Sequence, residues 1–192
     1  MQRGLTTAVA AGLGLVSLLW GGHALANTTV IGGGFAEDCS KSAKAVSINL
    51  KPHAEAIHEC TLALDTEILG THDFASTYVN RGVLHLAMGE YGDALKDFDS
   101  AIGIEPQLGE AFVNRGAALI GQGHDAAGID EIDRGLALKP TEPEKAYFNR
   151  ALAKERLNDL KGAYYDYRRA VELKPGWVMA QTELARFTVV QR

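Results

Sequence analysis

One short segment that recurs three times is the strongest evidence for the fold. It reads YVNRG at residues 78–82, FVNRG at 112–116 and YFNRA at 147–151. A second marker recurs at the same offsets of 34 and 35 residues, as IEP at 104–106, LKP at 138–140 and LKP at 173–175. Two separate markers that share one period indicate an internal repeat of about 34 residues. The chain is therefore expected to be built from stacked units of similar structure.

Between the two markers, each repeat shows the spacing of a helix. Small and large residues follow one another four and three positions apart: Ala94, Phe98 and Ala101, then Gly128, Ile132 and Gly135, then Ala163, Tyr167 and Ala170. These intervals place the side chains on one face of a helix, and the proline of the second marker ends it. Each repeat therefore predicts two helices, and no strand alternation appears in this region.

These positions resemble the tetratricopeptide repeat, in which an early aromatic residue, a small residue four places later, small and aromatic residues in the second helix and a closing proline recur. The resemblance covers about residues 75–177, and it departs where arginine replaces the usual leucine before the first small residue in all three repeats. It implies an all-α fold, a right-handed α-solenoid of antiparallel helix pairs. A degenerate repeat would stand at its N-terminus and a capping helix at its C-terminus.

The repeat phase divides the chain into seven segments. They are a signal peptide (1–26), a flexible leader (27–35), a degenerate helical hairpin (36–70), three repeats (71–108, 109–143 and 144–176) and a capping helix (177–192). The second repeat carries Gly121, Gly123, Gly128 and Gly135 where its neighbours mostly have better helix formers. Because an interior glycine costs roughly 1 kcal/mol relative to alanine, we expect this repeat to be the weakest.

The first 26 residues set the compartment. A single charge, Arg3, precedes an apolar run over residues 5–20, and the small residues Ala24 and Ala26 suit a signal peptidase. We expect cleavage before Asn27 and export to the periplasm or the medium. The alternative is an uncleaved anchor, because residues 5–26 carry no formal charge and are long enough to span a bilayer.

Two cysteines lie in the segment before the repeats. Residues 54–64 resemble a second helix of the same repeat, with Cys60 in the place of Phe98, and the partner helix would turn near residues 49–52. Cys39 and Cys60 are equally distant from the centre of that turn, so antiparallel helices would place them at one level. Export implies an oxidising compartment, and we predict a disulfide. Two buried free thiols, or a metal pair with His58, are the alternatives.

Composition and histidine spacing exclude several classes of protein. Hydrophobic residues make up 46% and charged residues 22% of the chain, an ordinary globular balance, and the formal net charge of −5 argues against a nucleic-acid partner.

His53 and His58 are five residues apart, which is off the spacing of four that aligns two ligands on a helix. His72, His85 and His124 have no partner at ligand spacing. We expect no enzymatic activity, no cofactor and no bound metal.

The recurring asparagines are the candidate binding residues. The resemblance places Asn80, Asn114 and Asn149 in the concave groove of the stack, where a ladder of carboxamides can pair with the N–H and C=O groups of an extended peptide. Flanking apolar residues would hold the side chains of the peptide: Val79, Val113, Phe148, Val83, Ala117 and Leu152. Alternatively, each asparagine bonds between helices and only fixes the geometry of the repeat. Grooves that clamp a C-terminal carboxylate use lysines where this chain has Val79, Val113 and Phe148, so the resemblance does not extend to that ligand class.

The arginine after each asparagine has a different predicted role. Arg81, Arg115 and Arg150 are each followed 16 residues later by an acidic residue, namely Asp97, Glu131 and Asp166. An arginine fork suits a carboxylate on a neighbouring helix. We therefore predict structural ion pairs within each repeat rather than a binding role for these arginines.

The function expected from the resemblance and the groove residues is protein-protein interaction. The chain would bind an extended peptide or partner segment and scaffold an envelope or periplasmic assembly. One alternative is a structural or oligomerising component that docks through its convex face or its ends, tested through Trp177 or Phe187. Another is a small-ligand or metal-binding protein. Membrane contact would come only from an uncleaved signal segment, and the sequence leaves the oligomeric state open.

Overall fold

The computed structural model describes residues 34–47 and 55–187, in which α-helices are joined by short turns and loops. They are α1 (Phe35–Ser47), α2 (Ala56–Thr66), α3 (Thr71–Met88), α4 (Tyr91–Ile104), α5 (Gly109–Gly121), α6 (Asp125–Ala137), α7 (Pro143–Arg156), α8 (Leu160–Leu173) and α9 (Val178–Ala185). The proposed signal peptide and most of the proposed leader, at residues 1–33, lie outside the described residues. No helix within the described ranges is long and apolar enough to cross a membrane.

The helices stack as consecutive pairs. The pairs α3 with α4, α5 with α6, and α7 with α8 pack most extensively, and the second helix of each pair also packs on the first helix of the next. The first helices of neighbouring repeats contact one another as well, as α3 does α5 and α5 does α7. This arrangement is the all-helical α-solenoid that the 34-residue period predicts, and it lines the first helices up along one side of the stack.

A left-handed backbone residue turns the chain between the two helices of each repeat. Gly89 (φ 78°), Gly123 (φ 86°) and Asn158 (φ 63°) directly follow or closely follow α3, α5 and α7. Glycine takes positive φ without a steric cost, and asparagine tolerates it better than most residues. The three residues are 34 and 35 positions apart, so the turn belongs to the same period as the helices.

Close approach of the paired helices depends on a small residue facing a large one. A Cβ atom on Gly82 would lie 2.5 Å from Cε1 of Phe98, and Phe98 is fully buried. In the second repeat the backbones themselves meet: a Cβ on Gly116 would lie 2.6 Å from the carbonyl oxygen of Gly128. A Cβ on Gly135 would likewise lie 2.8 Å from the carbonyl oxygen of Gly109. The glycines of this repeat are therefore packing residues, and helix propensity alone misjudges them.

The α1–α2 hairpin is fastened at two places. Cys39 and Cys60 form a disulfide with an S–S distance of 2.09 Å, and both side chains are fully buried against Leu84 of α3. About one turn before Cys39, the Glu67 carboxylate accepts hydrogen bonds from the backbone N–H groups of Phe35 and Ala36, which satisfies two free donors at the start of α1. The described residues contain no free thiol.

The last helix covers the C-terminal end of the third repeat. Ala180 is fully buried, and the Trp177 ring packs on Phe148 with ring centroids 4.8 Å apart. The Phe187 ring lies 5.8 Å from Tyr167 and 6.0 Å from Tyr164. Trp177 and Phe187 therefore belong to the core of the cap, and substituting either one would damage packing before it tested any contact between molecules.

The hairpin gives the first testable prediction. Reductant should lower the free energy of unfolding of the wild-type protein by roughly 3 kcal/mol, because the bridge joins residues 21 apart and restricts the unfolded chain. Urea denaturation with and without reductant measures this difference. The variant Cys39→Ser should show no response to reductant, and an equal response in that variant would contradict the disulfide as the cause.

Replacing a closely packed glycine by alanine has two opposite effects on stability: the higher helix propensity of alanine stabilises the protein, and the overlap of the new Cβ with its neighbours destabilises it. In Gly128→Ala the new Cβ would lie 2.5 Å from Cγ1 of Ile120 and 2.8 Å from the carbonyl oxygen of Gly116. We expect the free energy of unfolding to fall by about 1 to 2 kcal/mol.

The matched control for this prediction is Gly103→Ala. No atom lies within 4 Å of its new Cβ, so the same substitution should raise the free energy of unfolding by up to about 1 kcal/mol. Thermal and urea unfolding of both variants measure the two changes in stability. A higher free energy of unfolding for Gly128→Ala would show that the close approach of the helices does not require glycine at this position.

Candidate functional site

Each recurring arginine lies beside the carboxylate 16 residues after it. Nε and Nη2 of Arg81 donate to the two oxygens of Asp97 at 2.9 and 2.7 Å. Nε and Nη2 of Arg150 donate to the two oxygens of Asp166 at 2.8 and 2.7 Å. Arg115 donates twice to one oxygen of Glu131. The Arg81 and Arg150 contacts are bidentate forks, the geometry that suits guanidinium and carboxylate best.

The same arginines also reach back to the preceding unit. Nη1 of Arg81 donates to the Thr61 hydroxyl on α2, Nη1 of Arg115 donates to Asp99 on α4 at 2.7 Å, and Nη1 of Arg150 donates to Asp133 on α6. Sequence reasoning missed these contacts between repeats. A periodic signal exists, since Asp99 and Asp133 precede Arg115 and Arg150 by 16 and 17 residues. Each arginine therefore joins three helices.

An aromatic ring supports each guanidinium. Cζ of Arg81, Arg115 and Arg150 lies 5.4, 5.3 and 5.2 Å from the ring centroid of the aromatic residue three positions earlier. A guanidinium over a ring face is attracted by the ring quadrupole. Hydrogen bonding to Asp97 raises the pKa of Arg81 above its ordinary value. Together these contacts fix the rotation of the first helices and hence the direction of the asparagine that precedes each arginine.

The three asparagines are half-buried, and within residues 34–47 and 55–187 their side chains form no hydrogen bond. The interpretation in which they bond between helices thus finds no such bond in the described part of the chain. A half-buried carboxamide without a partner has two donors and an acceptor available to a ligand. The neighbouring arginines, in contrast, use their donors within the fold.

Asn80 and Asn114 line one pocket of about 220 Å³ on the side of the stack formed by the first helices. Its other lining residues are Ala43, Lys44, Val79, Val83, Glu110, Val113, Pro140, Glu142 and Lys145. A second pocket of about 250 Å³ shares Val79, Asn80 and Glu110 with the first, and extends to His72, Ser76, Leu108 and Thr141. The two pockets therefore form a continuous stretch along α3 and α5, which we name the asparagine groove.

Part of the predicted apolar lining lies elsewhere. Phe148 is only 6% exposed, because its ring packs edge-on against Tyr167 at 5.5 Å and against Trp177, and it lines neither pocket of the asparagine groove. Val79 and Val113 are also largely buried and present only an edge to the asparagine groove. Leu152, which lies on the same helix as Asn149, lines a separate pocket with Ile120, Glu155 and Arg156. Ala117 is half-buried, and Asn149 is not among the residues that line the asparagine groove.

Charged residues at the asparagine groove were missed by sequence reasoning. Glu110 and Lys145 each lie four residues before a recurring asparagine, one turn earlier on the same helical face, so the period could have identified them. Lys145 pairs with Glu142 at 2.6 Å, whereas Lys44 of α1 forms no ion pair within the described residues. The repeat period could not have identified Lys44, because this residue lies in the α1–α2 hairpin outside the repeats.

Glu110 ties the asparagine groove to the loop just before α7. Its carboxylate accepts hydrogen bonds from the backbone N–H and the hydroxyl of Thr141, at 2.7 and 2.9 Å. Burial acts to raise the pKa of Glu110, but these hydrogen bonds outweigh it and hold the pKa below its ordinary value. Glu110 is therefore a fixed anion rather than a proton donor at neutral pH.

The arrangement suits non-covalent binding. Amide donors and acceptors, apolar edges and charges of both signs surround the asparagine groove. Across the described residues, no three side chains of His, Cys, Asp or Glu are grouped to hold a metal ion.

Comparison with known proteins agrees with this architecture. Residues 75–108 and 144–176 match the family model described as tetratricopeptide repeat. The matches cover the helix pairs α3–α4 and α7–α8. The pair α5–α6 between them has the same arrangement of helices, although residues 109–143 are not part of either match.

Several known proteins share this repeat region. Sperm-associated antigen 1A of Danio rerio is 30% identical over 117 residues, which span 57% of this chain but only 27% of that protein. The Arabidopsis OM64 TPR domain superposes with a TM-score of 0.56 at 21% identity, covering 61% of this chain and 96% of that one. The first TPR of Spaghetti (RPAP3), bound to the HSP90 peptide SRMEEVD, has a TM-score of 0.54 at 26% identity, covering 58% of this chain and 88% of that one.

The arginine bridges give a third prediction. In Arg81→Met, the Asp97 carboxylate, whose side chain is 7% exposed, loses both hydrogen bonds to the guanidinium. We expect the free energy of unfolding to fall by about 3 kcal/mol, measured by urea denaturation. The double variant Arg81→Met with Asp97→Leu should recover a large part of that loss, because no buried charge is then left alone.

Arg134, an exposed arginine that pairs with Glu131 from the surface, provides the control for Arg81→Met. The Arg134 side chain is 64% exposed, so Arg134→Met should cost less than about 1 kcal/mol. If Arg81→Met were as mild as Arg134→Met, the bridge would not be what holds the helices in place.

Proposed function

We propose that the tetratricopeptide repeats of this chain form a non-enzymatic interaction module that binds an extended peptide or partner segment along the asparagine groove. One observation carries the proposal: Asn80 and Asn114 line one pocket, and neither carboxamide has a hydrogen-bond partner within the described residues. Polar groups that become buried normally have hydrogen-bond partners, and a bound ligand would bury these carboxamides further. A ligand backbone would supply those partners.

An extended peptide fits the chemistry of the asparagine groove. Its backbone alternates N–H and C=O groups, and a carboxamide can serve both at once without regard to the side chains of the peptide. The exposed edges of Val79, Val83 and Val113 supply apolar contact beside the asparagines. Fixed asparagines on arginine-anchored helices reduce the ordering that binding requires.

The solved relative with a bound peptide supports a peptide ligand but not the same recognition. The peptide SRMEEVD seen with the first TPR of Spaghetti is rich in acidic residues. The asparagine groove here carries Glu110 and Glu142 beside Lys44 and Lys145, so its charges are mixed. We therefore propose that this chain selects its ligand by backbone pairing and small apolar side chains rather than by ligand acidity.

The proposed setting is an exported one. Residues 1–26 carry the pattern of a signal peptide, and the Cys39–Cys60 disulfide is of the kind that persists in oxidising compartments. In that setting the module would scaffold an envelope or periplasmic assembly. A net charge of −5 makes protein a more suitable partner than nucleic acid.

The groove proposal predicts a loss of binding without a loss of fold. In the triple variant Asn80→Ala, Asn114→Ala and Asn149→Ala, no hydrogen bond of the described residues is broken, so helix content and unfolding midpoint should match the wild type. Selection from a library of random linear peptides should enrich binders with the wild type, and those peptides should lose at least tenfold in affinity for the triple variant.

The control for the triple variant removes amides outside the asparagine groove. Gln107→Ala with Gln122→Ala changes two exposed side chains and should leave the affinity of the selected peptides unchanged. A normally folded triple variant that binds the same peptides with the same affinity would overturn the groove proposal.

A further inference from the structure

The outer face of α8 carries a positive charge that the outer faces of α4 and α6 do not. Five exposed residues form it at intervals of three and four, with two arginines side by side: Lys161, Tyr165, Arg168, Arg169 and Glu172. We name these five residues, with the adjoining Tyr164, the basic–aromatic face.

The corresponding five positions of the other repeats show that the fold does not require this charge. Their net charge is +2 on α8, whereas it is 0 on α4 and −1 on α6. The residues compared are Gly92, Lys96, Asp99, Ser100 and Gly103 on α4, and Ala126, Asp130, Asp133, Arg134 and Ala137 on α6. All three helices are the second helix of a repeat, so the positive face belongs to the surface of the last repeat alone.

Arg168 stands where the earlier second helices carry an acceptor for the next repeat. The corresponding residues Asp99 and Asp133 each accept a hydrogen bond from the recurring arginine of the following unit. The cap has Leu184 in the place of that arginine. The series of bridges therefore ends at α8, and the Arg168 guanidinium remains on the outer surface.

The basic–aromatic face is preorganised. Cζ of Arg168 lies 5.0 Å from the ring centroid of Tyr165 and 5.8 Å from that of Tyr164. Glu172 contacts both arginines, with distances of 3.4 Å to Nε of Arg168 and 3.1 Å to Nη1 of Arg169. These three charged side chains are about half exposed, so their pairing is weak, and one carboxylate does not neutralise two guanidinium groups.

Exposed apolar surface adjoins these cations. Leu157 and Leu160 are both 51% exposed, and the Tyr165 side chain is 46% exposed. Leu160 is the first residue of α8, and Leu157 lies in the turn just before it. Single exposed apolar residues are ordinary, but two leucines and a tyrosine within residues 157–165 form a patch beside the cations.

A lipid surface that carries negative charge matches this combination. Headgroup phosphates attract lysine and arginine, tyrosine rings favour the level of the headgroups, and leucine side chains enter the boundary of the acyl region. An acidic peptide would pair with the cations without burying the leucines. A bilayer also needs no cleft to receive it, and the basic–aromatic face is the outside of one helix rather than a groove.

We propose that the basic–aromatic face, together with Leu157 and Leu160, binds the surface of a bilayer that contains anionic lipid. The helix α8 would lie along the headgroups, and the leucines at its start would reach deepest. Folded residues make this contact, unlike the contact expected from an uncleaved signal segment. The asparagine groove is built on α3 and α5, so it stays open, and the two proposals hold or fail separately.

Sedimentation with lipid vesicles tests the proposal on the full chain. Vesicles of phosphatidylcholine and phosphatidylglycerol in equal parts should bind more protein than vesicles of phosphatidylcholine alone. Added salt should remove this difference, because it screens exposed charges. Any binding through the apolar residues 5–20 is common to the wild type and every variant, so comparison between them isolates the face.

Two double variants divide the proposed contact into its parts. Arg168→Gln with Arg169→Gln should lower the partition coefficient on the anionic vesicles about tenfold or more. Leu157→Ser with Leu160→Ser should lower it as well, because insertion is lost, but should leave its dependence on salt unchanged. Circular dichroism checks that both variants fold.

The matched control removes two positive charges from the outer faces of α4 and α6. The side chains of Lys96 and Arg134 are 78% and 64% exposed. The variant Lys96→Gln with Arg134→Gln has the same net charge as the arginine variant and should bind the anionic vesicles like the wild type.

Several outcomes would overturn the proposal. They are a wild type that binds both kinds of vesicle equally, an arginine or leucine variant that binds like the wild type, and a control variant that loses as much as the arginine variant. A wild type that ignores anionic vesicles but binds a polyglutamate peptide through Arg168 and Arg169 would assign the face to an acidic protein partner instead.

Discussion

The rest of the structure depends on how closely the two helices of a repeat approach each other. Gly82 and Gly116 on the first helices leave room for Phe98 and Ile132 on the second, and added Cβ atoms would overlap them. This spacing brings Arg81 within hydrogen-bond distance of Asp97 across the pair. Because the arginines also bond to the preceding unit, the helix spacing within one repeat affects how neighbouring units stack. The stacking in turn sets the direction in which the asparagines face.

The sequence predicts what is periodic and local. The 34-residue period yields the helix pairs, and the interval of 16 residues finds the partner of each arginine, because both depend on spacing within one unit. Contacts between units, such as Arg115 with Asp99, depend on how the repeats stack, so the recurring interval of 16 and 17 residues identifies them only once the stacking is known. The place of Lys44 in the asparagine groove also depends on stacking, because Lys44 comes from the α1–α2 hairpin, which lies outside the 34-residue period.

Positions that are equivalent in the sequence are not equivalent in the fold. Phe148 stands where Val79 and Val113 stand, but its larger ring packs on Trp177, which stands where the first repeat has the smaller Leu108. The ring therefore completes the core beneath the cap instead of lining the asparagine groove. The second repeat shows the converse: glycines that cost helix propensity allow backbone contact between α5 and α6, so the repeat with the poorest propensity has the closest helices.

First and second helices have different roles in the repeats. The asparagine groove is built on α3 and α5, with walls from α1 and the start of α7. The second helices supply Asp97, Glu131 and Asp166, which hold the arginines of the first helices. Because those arginines use their donors within the fold, the asparagines beside them keep their donors and acceptors for a ligand. A ligand in the asparagine groove would therefore meet helices whose orientation the arginine bridges already set.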